Sequence, residues 1–253
     1  MLQGRFTDVA KVLPAWEKEA VETGDLTAIR STRVAEFVYV WLAADAPGLA
    51  REQVALGMKG WSREGFLTEH FLELVGYALV DLYDGDIASA RERMRRCDDG
   101  MRRSFLGRVE TLRIRSLELT ARIEIAAARD GGEGPSLALA ARAARRLTST
   151  RARWAVALAT LLDAQIAQRR GEARRARSLL GDAVLRLDSC SLYLHAATAR
   201  HALGRISSDE RLAADADEWF REQGVTDPVR LRGMVAPGFA APPSTRSVPQ
   251  PRR

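Results

Sequence analysis

The sequence predicts an all-α chain of antiparallel helix pairs, and two stretches carry most of that prediction. Phe66 to Asp84 is an apolar, helically periodic segment that meets a turn at Gly85-Asp86 and continues periodically from Ile87 through Cys97. A second segment ends near Arg170, turns at Gly171-Glu172 and runs on from Ala173 to Leu187. The two hairpins share the places of their small residues. Ala78 and Ala164 stand seven residues before the turn glycines, Ala90 and Ala176 five after them, and Cys97 and Ala183 twelve after them. Small side chains at matching offsets let two antiparallel helices, and then neighbouring pairs, approach closely.

This spacing resembles the tetratricopeptide repeat, whose small residues and turn glycine fall at such offsets. The resemblance implies an α-solenoid of stacked pairs, an architecture that binds rather than reacts. Ala50 and Gly57 are seven apart, as are Ala90 and Cys97, but Ala50 to Ala90 spans 40 residues, so lengthened helices are expected. Residues 1–239 are read as one helical repeat array of about five or six pairs, and residues 240–253, rich in Pro and Arg, as a disordered tail.

Taken in order, Leu2, Phe6, Val9, Leu13, Trp16 and Ala20 form an i, i+3, i+4 stripe ending at Gly24-Asp25. Pro14 should end or kink that helix near Leu13, unless the helix begins there. From Leu26, the set Val34, Phe37, Val38, Trp41 and Leu42 marks a second helix, closed by Ala46-Pro47-Gly48, and a third runs from Leu49 to about Arg63. After the first hairpin, Phe105, Val109, Leu112, Ser116, Leu119 and Ile123 continue at helical spacing to about Arg129. Asp130 to Pro135 is a loop of helix breakers, with Ser136 as cap of the next helix. The segment after the second hairpin, Leu192 to Leu203, should be closed by Gly204. Ser207 to Glu210 has capping-box spacing, and Asp227-Pro228 opens a last short helix.

Charge and composition narrow the partners. The chain has 253 residues, 46% hydrophobic and 28% charged, with a net charge of +6. Three of the positive residues, Arg246, Arg252 and Arg253, lie in the tail, which has no acid. Elsewhere arginines alternate with Asp and Glu along the helices, so the pattern reads as solvated faces rather than a nucleic-acid surface. No 18-residue apolar run predicts a membrane span, and Met1 to Asp8 lacks the layout of a signal peptide. Cys97 and Cys190 sit within helical patterns and read as packing thiols of a cytoplasmic protein.

A sharper resemblance lies near the end. Ala213 to Phe239, with its Asp-Glu-Trp-Phe-Arg-Glu-Gln-Gly core, is similar to the C-terminal region of large bacterial serine/threonine protein kinases of the myxobacterial type. Leu13 to Asp25, Val40 to Asp45 and Asp81 to Asp86 extend the similarity over most of the chain up to Phe239. In that family helical repeats follow a kinase domain, which implies a segment that senses or docks. The family's catalytic residues do not carry over. Lys11, Lys18 and Lys59 stand in no ATP-pairing context, and Arg129-Asp130-Gly131 lacks the flanking His and Asn of a catalytic loop. The chain is thus expected to be either a separate product or a severed terminal part.

Other reactive chemistry is sparse, and no cofactor or metal is predicted. Glu69, His70 and Glu73 lack a second histidine near in sequence, so His70 reads as a surface or groove residue, while His195 and His201 fall on different helix faces. The five tryptophans, Trp16, Trp41, Trp61, Trp154 and Trp219, fall on apolar stripes and read as core. The expectation is therefore a non-catalytic interaction scaffold in bacterial signalling. Its partner would be a protein or peptide, with a kinase domain or a second copy of the chain as candidates. The alternative is the regulatory segment of a serine/threonine kinase or of an ATPase-type transcriptional activator. Phe6, Val9, Leu13 and Trp16, with no polar cap before them, predict an exposed docking face at the N-terminal end.

Overall fold

The computed structural model describes residues 4–25, 28, 32–128 and 134–240. Among these, twelve α-helices occur and no strand: α1 Phe6–Thr23, α2 Val38–Ala43, α3 Pro47–Gly57, α4 Thr68–Asp84, α5 Ile87–Arg103, α6 Glu110–Ala127, α7 Pro135–Thr148, α8 Arg153–Arg169, α9 Ala173–Ser189, α10 Tyr193–Ser207, α11 Glu210–Glu222 and α12 Pro228–Val235. Short 3-10 turns stand at Ala35–Phe37, Phe105–Arg108 and Pro237–Phe239. The fold is all-α, as the periodicity predicts.

Four hairpins, α4/α5, α6/α7, α8/α9 and α10/α11, succeed one another, each pair packed on the next. Gly85 and Gly171 both take φ +78, the left-handed conformation in which a glycine closes a helix without steric cost. The Asp86 carboxylate then accepts the Ser89 N–H and caps α5. Ala50, Ala78, Ala90, Cys97, Ala164, Ala176 and Ala183 are all fully buried, Gly57 is buried, and Gly85 and Gly171 lie exposed at their turns. First helices of the pairs are enclosed on opposite faces. In α6 ten of the residues from Leu112 to Ile125 are buried, and α8 and α10 are similarly enclosed. Second helices carry a single buried stripe, as in α5 (Ala90, Met94, Cys97, Met101).

Several local expectations are corrected. Helix α1 runs unbroken through Pro14; Ala10 and Pro14 are both exposed, so the carbonyl that loses its donor faces water. The second predicted helix shrinks to α2 because Ala35 takes φ 51 and interrupts the helical run; Leu26 lies outside the described residues. Helix α3 stops at Gly57 rather than near Arg63. Phe105 does not continue a helix but sits 79% exposed in the 3-10 turn between α5 and α6. Most of the predicted loop, residues 130–133, lies outside the described residues. Gly134 rather than Ser136 precedes α7, with Pro135 at its first position. Gly204 is no cap either. It is buried within α10, where a Cβ would stand 2.7 Å from the Ala213 nitrogen, so its role is to admit α11. Helix α10 therefore extends to Ser207, and Asp209 rather than Ser207 caps α11 by accepting the Leu212 N–H.

The largest departure concerns the N-terminal face. Phe6 and Leu13 are buried, Val9 is half-buried, and of the four predicted docking residues only Trp16 is exposed. The two ends of the chain meet. Phe6 stacks on Tyr39, Gly4 lies against the Trp219 ring and the Leu194 backbone, and Thr226 donates its N–H to the Ala43 carbonyl at 2.8 Å. The start of α1 is thus closed by Tyr39 on α2 and by the Trp219 ring beside Gly4, contacts that the local sequence could not disclose. Residues 241–253, most of the predicted tail, lie outside the described residues.

Candidate functional site

The C-terminal segment defines a site. Helix α12 and the 3-10 turn Pro237–Phe239 do not form another pair. Together they lie across the first helices α4, α6, α8 and α10. Leu231, Met234, Val235 and Ala236 are buried there. This inner face, the side that α4, α6, α8 and α10 share, is occupied by the chain itself.

Polar groups on that face grip the segment by its main chain. Arg122 on α6 donates to the Met234 carbonyl at 3.4 Å, and Arg169 on α8 donates to the Pro237 carbonyl at 2.8 Å. Gln165 Oε1, also on α8, accepts the Gly238 N–H at 3.1 Å. A Cβ on Gly238 would stand 2.6 Å from Gln165 Cβ, so only glycine permits this approach. Gln165 is fully buried, and its Nε2 has no hydrogen-bond partner among the described residues.

Behind these contacts lies a buried charged cluster. Arg122 bonds Glu118 at 2.9 Å, one helical turn away, and donates to the Tyr39 hydroxyl at 3.2 Å. Burial works against the Arg122 charge, but Glu118 and Tyr39 more than offset it and hold the guanidinium protonated. Burial pushes the Glu118 carboxyl upward, opposed by Arg122, and also raises the Tyr39 phenol. His195 on α10 is pushed down to about 3, first by burial and then by the Arg122 charge, so it is neutral. Its Nδ1 has no hydrogen-bond partner among the described residues. A cavity of about 20 Å³ adjoins Tyr39, Glu118, Arg122 and His195, large enough for one water. Such a cluster fixes geometry at a desolvation cost, so its value lies in orienting Arg122 toward the Met234 carbonyl.

At its other end the segment is held by charge. Arg230 on α12 pairs with Asp45 at 2.7 Å and Asp84 at 2.6 Å, donates to the Tyr83 carbonyl, and lies 4.3 Å from the Tyr83 ring centre. The Tyr83 hydroxyl in turn donates to Asp45 at 2.8 Å.

The remaining candidates fall elsewhere. His70 is buried rather than superficial. Its Nδ1 accepts the Leu67 N–H at 3.0 Å and its Nε2 meets the Ser62 carbonyl at 2.8 Å, so it organises the start of α4. His201 is half-buried, 3.8 Å from Asp217. Trp41, Trp61, Trp154 and Trp219 are half-buried against the core. Among the described residues no three metal-ligating side chains converge, and no helix is long and apolar enough to cross a membrane.

Sequence reasoning missed Tyr39, Glu118, Arg122, Gln165, Arg169 and Arg230. A faint signal existed at one of them: Gln165 interrupts the apolar run from Ala155 to Ala167 on α8. Comparison with known proteins assigns no relative: no protein-family model, curated protein or solved structure matches the chain.

Proposed function

We propose that the chain is a non-catalytic interaction scaffold that holds a peptide segment on the inner face of its helix pairs, and that residues 228–240 fill that place in cis. The observation that carries the reading is the set of three main-chain contacts, Arg122 to Met234, Arg169 to Pro237 and Gln165 to Gly238. A surface that binds peptide main chain accepts varied side chains and is selective through close approach, here at Gly238. The tetratricopeptide-like spacing supports the same reading, with a protein or peptide partner in bacterial cytoplasmic signalling. The purified chain is expected neither to hydrolyse ATP nor to phosphorylate a generic substrate.

A second reading has one specific support. Ala213 to Phe239, the stretch that resembles kinase C-terminal regions, comprises nearly all of α11, then α12 and the last 3-10 turn, which together include the docked segment. In that reading the chain is the regulatory region of a serine/threonine kinase, or of an ATPase-type activator, whose catalytic domain lies outside this sequence.

The test uses a labelled peptide of residues 227–240 added to the full chain and to the double variant Arg230→Ala/Gly238→Leu, which should eject the native segment. The variant should bind the peptide saturably while the wild type, already filled, does not. A variant that keeps its helicity yet binds no peptide would sink the proposal. Capture of a kinase domain encoded in an adjacent frame, weakened by the same substitutions, would favour the second reading.

A further inference from the structure

A cavity of about 870 Å³ opens along α6, with no lining residue from the segment 228–240. Its floor is one face of α6, from Arg113 through Leu117 and Thr120 to Glu124; its walls are α5 and α7. The connection between α5 and α6 explains the opening. Residues 104–109 include a 3-10 turn, whereas the links α7–α8 and α9–α10 are shorter, and α5 packs less closely on α6 than α7 on α8 or α9 on α10.

The lining is chemically one-sided. Six arginines border the trough against three carboxylates. Each carboxylate is engaged: Glu124 by Arg91, Glu92 by Arg95, and Asp98 by the Ser116 hydroxyl. The guanidinium groups of Arg113, Arg142 and Arg146 make no hydrogen bond or ion pair with any described residue. These three unpaired cations from two helices outweigh Asp98, the one lining carboxylate held by a neutral hydroxyl, and point to an anionic ligand.

The rest of the lining selects among anions. Met94, Met101 and Ile123 close the bottom of the trough and are themselves buried, Leu117 is half-buried on the floor and Leu139 is exposed on the α7 side, while no lining residue is aromatic. Single-stranded nucleic-acid sites rely on aromatic faces for stacking; the apolar surface of Leu117 and Leu139 suits an aliphatic side chain instead. The face from Arg113 to Glu124 is about 16 Å long at the helical rise, room for roughly five residues of extended chain. Arg142 and Arg146, one turn apart on α7, are separated by about 6 Å along the axis, close to the spacing of about 6.6 Å between alternate side chains of an extended peptide. Acidic side chains at alternate positions thus meet the α7 arginines, while those between them turn toward Leu117 on the α6 floor.

We infer that this trough binds an extended acidic peptide of a partner protein, with carboxylates at alternate positions and apolar residues between them. The occupant is not the chain's own C-terminal tail, whose only charged residues are Arg246, Arg252 and Arg253. The site is separate from the inner face, so its failure would leave the preceding proposal standing.

The test is fluorescence anisotropy with the full chain and a labelled Ser-Glu-Leu-Glu-Leu-Glu-Ser probe. Saturable, salt-sensitive binding is expected, while the Lys-for-Glu and Ser-for-Leu versions should bind far more weakly. Arg142→Ser/Arg146→Ser removes exposed, unpaired side chains and should leave helicity and melting unchanged. It should weaken the probe about tenfold, the loss expected of two partly screened charge-assisted contacts. Arg174→Ser/Arg177→Ser removes equal charge from an exposed face of α9 outside the trough and should have no effect. The inference is overturned by an absent or unsaturable interaction, by equal losses in the two double variants, or by mixed-sequence single-stranded RNA displacing the probe from the trough.

Discussion

Arg230 and Asp84, 146 residues apart in sequence, stand 2.6 Å apart, and their pair fastens the C-terminal helix to the end of the first hairpin. Asp45 shares the same guanidinium at 2.7 Å, so one arginine joins α12, the α2–α3 corner and α4. Arg51 holds Asp84 from the other side at 2.9 Å.

Arg230→Ala should therefore loosen the docked segment before it unfolds anything else. The side chain is partly exposed, which limits the loss to about 1–2 kcal/mol for the ion pairs and the ring contact combined. Hydrogen exchange should quicken at residues 228–240 while α6 and α8 stay protected. Uniform quickening through all helices would contradict a locally held segment.

Ala176 tests the packing of the second hairpin. It is fully buried on α9, so Ala176→Leu should overpack the seam and cost about 1–3 kcal/mol. Leucine is nearly as good a helix former as alanine, so propensity cannot account for such a loss. Ala173→Leu, exposed on the same helix, is the control and should be close to neutral in urea denaturation.

His195 should make stability depend on pH. Its ordinary value is 6.5, and burial with Arg122 nearby lowers it to about 3 in the folded chain. Between those values the unfolded chain binds more protons, so stability rises with pH and is lost as pH falls from 6.5 toward 3. The contribution to the slope approaches about 1.4 kcal/mol per pH unit. His195→Gln, polar but unable to titrate, should flatten the urea midpoint against pH by that amount. An unchanged profile would show that His195 is not buried as described.

The two thiols should separate cleanly. Burial raises the Cys97 thiol to about 12 and shields it completely, whereas Cys190 is half-buried. Titration with a thiol reagent should modify Cys190 in the native chain and Cys97 only on unfolding. Prompt reaction of both would contradict the close packing around Ala90 and Cys97.

The parts of this fold that were legible in the sequence are those settled within a few residues. A glycine that closes a helix, an acid beside it and small residues at fixed offsets announce the α4/α5 and α8/α9 hairpins. Contacts made over long separations were hidden. Gly204 looked like a cap because its partner, the Ala213 backbone on α11, arrives from the next helix. Phe6 looked exposed because its stacking partner Tyr39 and the Trp219 ring beside Gly4 arrive from later elements. For the site, Arg122 and Gln165 gave only a weak cue, since nothing near them in sequence reveals that the main chain of residues 234–238 lies against them.

The meeting of the ends also sets a timetable for synthesis. Gly4 cannot pack on Trp219, nor Ala43 accept from Thr226, until nearly the whole chain has left the ribosome. At typical elongation rates of 5–20 residues per second that interval is roughly 10–40 s. Until then the chain around Gly4 lacks its contact with Trp219, and α4, α6 and α8, as each emerges, lack the segment that will lie across them. The nascent chain thus presents to chaperones and neighbouring ribosomes a surface that the finished protein hides.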